Sequence, residues 1–170
     1  EIEKAGELLV KLRPNIQKFH SSEYINALAN GDICLVLGWS GDVFQAKARA
    51  KEAAEKTKKP AVEIEYIVPK EGAQVFFDSF SILKDAPNPN EAHAFINFML
   101  RPDIAARNTN YVSYANGNLP SQKSIDKEII ENPAIYPPAD VMKRLYTVTP
   151  YPPQLQRTVT RVWTRVKTGR

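Results

Sequence analysis

Two aspartates, one among the apolar residues of an expected strand and one in a loop beside a tryptophan, raise the question of what their carboxylates meet. Across Val75 to Leu83, the residues Phe76, Asp78, Phe80 and Ile82 share one side by the two-residue period of a strand. An ionised group buried there without a partner costs several kcal/mol. Asp78 therefore faces an opening, pairs with an Arg or Lys, or meets a cationic ligand; an internal salt bridge or an exposed strand end explains the pattern as well as a ligand does. Asp42 raises the same question at the end of Gly38-Trp39-Ser40-Gly41-Asp42. The residue pattern favours an N-cap for the helix that follows. The same loop also lies at the carboxyl end of an expected parallel strand, where open α/β sheets bind ligands. Trp39 could close the sheet end as a core aromatic, or offer an indole face to a cation. Tyr111 and Tyr114, ahead of Ala115-Asn116-Gly117-Asn118, end a helix at a turn, where tyrosines ordinarily pack.

Signatures of other chemistry are missing from the sequence. There is no HExxH, GxSxG or GxxxxGK[ST] motif, and the two histidines, His20 and His93, read as structural or surface residues. The single cysteine, Cys34, excludes an internal disulfide and falls inside the most apolar run, where a buried, inert thiol is expected. Neither metal nor covalent catalysis is expected, nor a cofactor.

The elements that must position these residues follow from periodicity. Ile2, Ala5, Leu8, Leu9 and Leu12 predict an amphipathic helix ending at Pro14. Ser21 or Ser22 can cap a second, with Tyr24, Ile25 and Leu28 as its apolar face and Asn30-Gly31 as its close. Ile33 to Leu37 is a continuous apolar run of the kind found in a strand covered on both faces, which favours a parallel α/β sheet. Val43 to Lys56 reads as a helix, and Val62, Ile64, Tyr66 and Val68 alternate with glutamates as a second strand, with Val75 to Leu83 as a third. Asn88, Pro89 and Glu91 predict a capping box before a helix with Ala92, Phe95, Ile96, Met99 and Leu100 as its buried stripe, and Pro102 starts another. Six of the 13 prolines lie between Pro133 and Pro153, a meander of short helices and turns. The last helix carries Val159, Val162, Trp163 and Val166 on one face and Arg157, Arg161 and Arg165 on another.

With 170 residues, 43% hydrophobic and 25% charged, the chain has the makeup of a globular protein with a sizeable core. Its longest apolar run is far short of the roughly 20 residues that cross a bilayer. The residues from Glu1 onward do not form a basic, apolar leader, so the compartment is not read from a signal peptide. The formal charge of +4 is local: Lys143, Arg144, Arg157, Arg161, Arg165, Lys167 and Arg170 all follow Asp140, the last acidic residue. A nucleic-acid reading thus rests on one segment, leaving the rest free to bind a cation.

Phe19-His20-Ser21-Ser22, Tyr24-Ile25, Leu28 to Cys34, Gly38 to Val43, Pro69 to Ala73, Phe76-Phe77-Asp78, Glu131-Asn132-Pro133 and Ile135 to Val141, in this order and spacing, closely resemble the periplasmic putrescine-binding proteins of bacterial ABC importers. The resemblance implies an α/β fold of the periplasmic-binding-protein type II class, two-lobed with the ligand in the interlobe cleft, of which this chain is the C-terminal portion. Residues 1–62 and 120–170 would belong to lobe 2, and 63–119 to lobe 1 with the hinge-crossing segments. It implies a periplasmic location, a signal peptide in the precursor, and three partners: a polyamine, a membrane permease and the missing N-terminal half. Carried over by position, Trp39 and Phe76 would be aromatic walls, Asp42 and Asp78 carboxylates for the amines, and Tyr114 a further aromatic lining the cleft. Without the other half, weak putrescine binding or none is expected of this chain. The Lys51 to Pro60 segment departs from the family as a longer helix and loop.

Two other functions fit parts of the sequence. Asp42 and Asp78 could be the acid and base of a carboxylate-pair hydrolase, although no sugar site accompanies them. The Arg157 to Arg170 helix could bind nucleic acid, but Trp163 and the valines demand a core, which makes its basic face a solvated one. No enzyme and no nucleic-acid partner are therefore expected.

Overall fold

Helix-forming periodicity is local, and the helices fall where it places them. The computed structural model describes residues 1–169. The described chain divides into two compact units, Glu1–Ser21 with the chain from Val148, and Ser22–Thr147.

In the first unit, helix α1 (Ile2–Leu12) gives way at Pro14 to a 3-10 turn, Arg13–Asn15. It packs on helix α8 (Pro153–Thr168), which buries Val162 and Val166. A Cβ on Gly6 would overlap the Val162 Cγ1, so the missing side chain is what lets the two helices approach this closely. Phe19 meets Trp163 edge-on, with ring centroids 5.1 Å apart. The basic face of α8 is partly neutralised, because Arg161 and Arg165 reach Glu3 at 2.8 Å and 3.4 Å.

In the second unit, helices α2 (Tyr24–Asn30) and α3 (Ser40–Thr57) form the core with Ile64. Leu28 and Ala29 of α2 face Val43, Ala46 and Ala50 of α3, small residues that admit a close crossing, and Ile25, Ile33, Val36, Val62 and Tyr66 pack around them. Gly31 closes α2 at φ 77°, a left-handed conformation that glycine adopts without strain. Strand β1 (Ala73–Gln74) follows, then helices α4 (Pro89–Met99) and α5 (Pro102–Val112), each with proline in its first turn; the apolar stripe expected to be buried on α4 is not, and Phe95 and Leu100 are exposed. Asn116 ties the segment after α5 back onto it. Its amide donates to Thr109 Oγ1 at 2.8 Å, and its carbonyl accepts from the Asn118 N–H and Ser121 Oγ at 2.7 Å and 3.1 Å. The proline-rich stretch holds helix α7 (Ala139–Met142) and strand β2 (Leu145–Tyr146), after the one-turn helix α6 (Lys127–Ile130). Strand β2 runs parallel to β1, Ala73 opposite Leu145 and Gln74 opposite Tyr146.

The expected strands fare differently from the helices. Residues 61 to 69 keep the alternation of a strand, with Val62, Ile64, Tyr66 and Val68 turned inward and Glu63, Glu65 and Ile67 outward, but no ladder forms. Ile33 to Leu37 is not a covered strand: Leu35 is 92% and Leu37 98% exposed, and Cys34 is exposed rather than buried. The third expected strand, Val75 to Leu83, is not formed: β1 ends just before it, and a single backbone bond continues into it, from the Val75 N–H to the Tyr146 carbonyl at 2.9 Å. A strand takes its hydrogen bonds from a neighbour, and the β1–β2 pair is the only sheet among the described residues. Two caps also differ. Glu23 rather than a serine occupies the N-cap position of α2, and Asn88 caps α4 without a side-chain bond, so the capping box is not made. No helix among the described residues is long and apolar enough to cross a membrane.

Candidate functional site

Asp42 is the third residue of α3, not its cap; that position belongs to Trp39. A carboxylate in the first turn lies at the positive end of the helix dipole, and here its side chain is held by two tyrosines. The Tyr24 hydroxyl, from α2, donates to Asp42 Oδ2 at 2.6 Å, and the Tyr114 hydroxyl donates to Oδ1 at 3.1 Å. Tyr24 in turn accepts a bond from the Trp39 N–H at 3.0 Å, so the loop backbone, the phenol and the carboxylate form one chain. Tyr114 reaches the site because Ser113, in a left-handed conformation (φ 58°), ends α5 just before it.

Glycines make room for both rings. A Cβ on Gly41 would overlap the Tyr114 ring, and one on Gly38 would lie 2.7 Å from Tyr24 Cε2. Burial, reinforced by the hydrogen bond to Asp42, pushes the Tyr24 phenol up to about 12. Burial and then the Asp42 charge push Tyr114 upward too. Both phenols therefore remain neutral donors at physiological pH. An ionised carboxylate has about four lone-pair sites, so two bonds leave Asp42 able to accept more. No lysine or arginine pairs with it among the described residues.

Trp39 and Phe76 are brought together edge-on, centroids 4.8 Å apart and planes at 71°, each ring about 40% exposed (43% and 40%). Asp78 lies two residues past Phe76 and is exposed. Among the described residues it forms no ion pair, which removes the internal salt bridge as its explanation. Thus Trp39 meets Phe76 and Asp42 meets Tyr114, while Asp78 is placed near them by sequence alone. Tyr111, by contrast, is exposed on α5. Sequence reasoning gave Tyr24 only a place on an apolar helix face; the signal for more was its hydroxyl, which in a buried position requires a partner. The described residues hold no cluster of His, Cys, Asp and Glu able to bind a metal.

The model for the bacterial extracellular solute-binding proteins matches residues 1–137. The chain belongs to this family. Among its solute-binding relatives, the putrescine-binding periplasmic protein PotF of Escherichia coli K12 is 51% identical over 166 residues, covering 98% of this chain and 44% of PotF. The putrescine-binding periplasmic protein SpuD of Pseudomonas aeruginosa is 46% identical over 170 residues, covering the whole chain and 45% of SpuD. A solved structure, the spermidine/putrescine ABC transporter substrate-binding protein PotD of Streptococcus pneumoniae, superposes with a TM-score of 0.70 at 29% identity, over 98% of this chain and 48% of that one. The fold is therefore the α/β, type II periplasmic-binding-protein fold of these solute-binding proteins, and the chain spans about half the length of the relatives it matches.

Proposed function

We propose that this chain is the C-terminal part of a periplasmic receptor that captures putrescine or a related polyamine in an interlobe cleft and delivers it to an ABC permease. The observation that carries this reading is Asp42, a carboxylate oriented by two neutral phenols and paired with no lysine or arginine among the described residues. It lies three residues from an indole that is itself half open beside Phe76. Relatives named for putrescine binding support the same choice.

The chemistry suits a diamine, which is two ammonium ions on an apolar spacer. An ammonium near 4 Å from a carboxylate gains about 4 kcal/mol at an effective dielectric of 20, before desolvation. Contact with an aromatic face adds roughly 0.5 to 2 kcal/mol. Two such ends, less ordering and desolvation costs, reach the roughly −8 to −12 kcal/mol of micromolar to nanomolar binding. In this reading Asp42 and Asp78 receive the amines, Trp39 and Phe76 flank the spacer, and Tyr114 both lines the cleft and holds Asp42. Residues 1–62 and 120–170 would lie in one lobe of the complete receptor and 63–119 in the other, facing groups from the N-terminal half. The protein is then a receptor without turnover. The test is calorimetry on the full-length protein: Asp42→Asn and Asp78→Asn should each weaken putrescine binding at least tenfold. Unchanged affinity in both removes the site.

A further inference from the structure

We propose that Tyr24, outside the ligand-contacting set, is a positioning residue that fixes the Asp42 carboxylate for an ammonium ion through its hydroxyl. The inference rests on the binding reading above and deepens it. Tyr24 is 7% exposed, and its single hydroxyl joins two parts of the site: it accepts from the Trp39 N–H at 3.0 Å and donates to Asp42 Oδ2 at 2.6 Å. The loop that carries the indole and the helix turn that carries the carboxylate are thus tied through one oxygen.

The bond to Oδ2 matters because Tyr114 holds only the other oxygen, Oδ1. Each bond restrains rotation of the carboxylate about Cβ–Cγ through one oxygen, and with a donor on both oxygens the plane is set more firmly before a ligand arrives. Preorganisation of this kind raises affinity by removing an ordering cost at the moment of binding. Gly38 completes the device. A Cβ there would approach Tyr24 Cε2, Cζ and the hydroxyl to between 2.7 Å and 3.1 Å, so glycine at this position is what allows the phenol to sit beneath the loop.

The test is a double-mutant cycle in the full-length receptor, read by calorimetry with putrescine as the probe. Tyr24→Phe, which keeps the ring and removes only the oxygen, should weaken binding about tenfold, the scale of one hydrogen bond to a charged group. In an Asp42→Asn background the same change should cost less than about twofold, because Tyr24 acts through that carboxylate. Binding stoichiometry near one in each variant shows that the site is folded. Gly38→Ala, which displaces the phenol without removing it, should reproduce the Asp42-dependent loss. Wild-type affinity in Tyr24→Phe, or the same loss in both backgrounds, overturns the positioning role while leaving the binding reading intact if Asp42→Asn alone is weak. Full affinity in Asp42→Asn overturns both.

Discussion

Tyr24 and Tyr114 each give their one proton to a different oxygen of Asp42, which makes the protonation of the phenols part of the site's architecture. A free tyrosine ionises near 10, and Tyr24 in the fold near 12, chiefly because burial disfavours the phenolate. The folded state therefore holds a proton that the unfolded chain has already released. The resulting stabilisation is complete below pH 10 and is lost as pH rises through 12. Denaturant midpoints measured from pH 9 upward should fall in this window, and Tyr24→Phe should flatten the fall; identical limbs would assign it to other groups. At this scale the sequence was informative about charge and poor about partners. Asp42 and Trp39 stand out by type and place, but Tyr24 and Tyr114, which hold the two Asp42 oxygens, lie 18 and 72 residues away and leave no mark in the local pattern.

Helices and strands were not equally legible. The apolar spacing that predicts α1 and α2 lies within each segment, and the stops at Pro14 and Gly31 and the start of α5 at Pro102 are local chemistry. Inward-facing positions of the expected second strand were also legible, since side-chain alternation needs only an extended chain. Its ladder was not, because ladder bonds come from segments far away in sequence. Close helix packing was likewise hidden: nothing about Gly6 in α1 announces that Val162 of α8 occupies the space its side chain would need. Gly6→Ala sets two effects against each other. Alanine favours the helix by up to about 1 kcal/mol, while forcing a methyl into a filled space costs about 1 to 3 kcal/mol. The overlap should win, lowering the melting temperature of the protein; an increase would mean that α1 shifts freely on α8.

For the whole molecule, the distribution of charge and of apolar surface decides more than their totals. The basic tail that gives the chain its positive sign is partly consumed within its own unit, where Arg161 and Arg165 share Glu3. Charges beyond about 8 Å are screened at physiological ionic strength, so a cationic ligand at Asp42 is governed by that carboxylate and its immediate neighbours. Leu35, Leu37, Ile67, Phe77 and Leu83 are exposed to a degree that apolar side chains seldom are. This fits a chain that spans about half the length of its relatives. On the proposed function, the present chain supplies residues to both lobes of the cleft but not those of the N-terminal half, and calorimetry on it alone should detect putrescine weakly or not at all. Submicromolar binding would mean that Trp39, Asp42, Phe76, Asp78 and Tyr114 suffice without that half.

The two tryptophans of the chain fall one in each compact unit, Trp163 against Phe19 and Trp39 against Phe76. Intrinsic fluorescence is therefore a two-channel signal. Trp163→Phe would leave a single indole, the one at the candidate site, whose emission is excited apart from the tyrosines: a label-free optical readout of what arrives there.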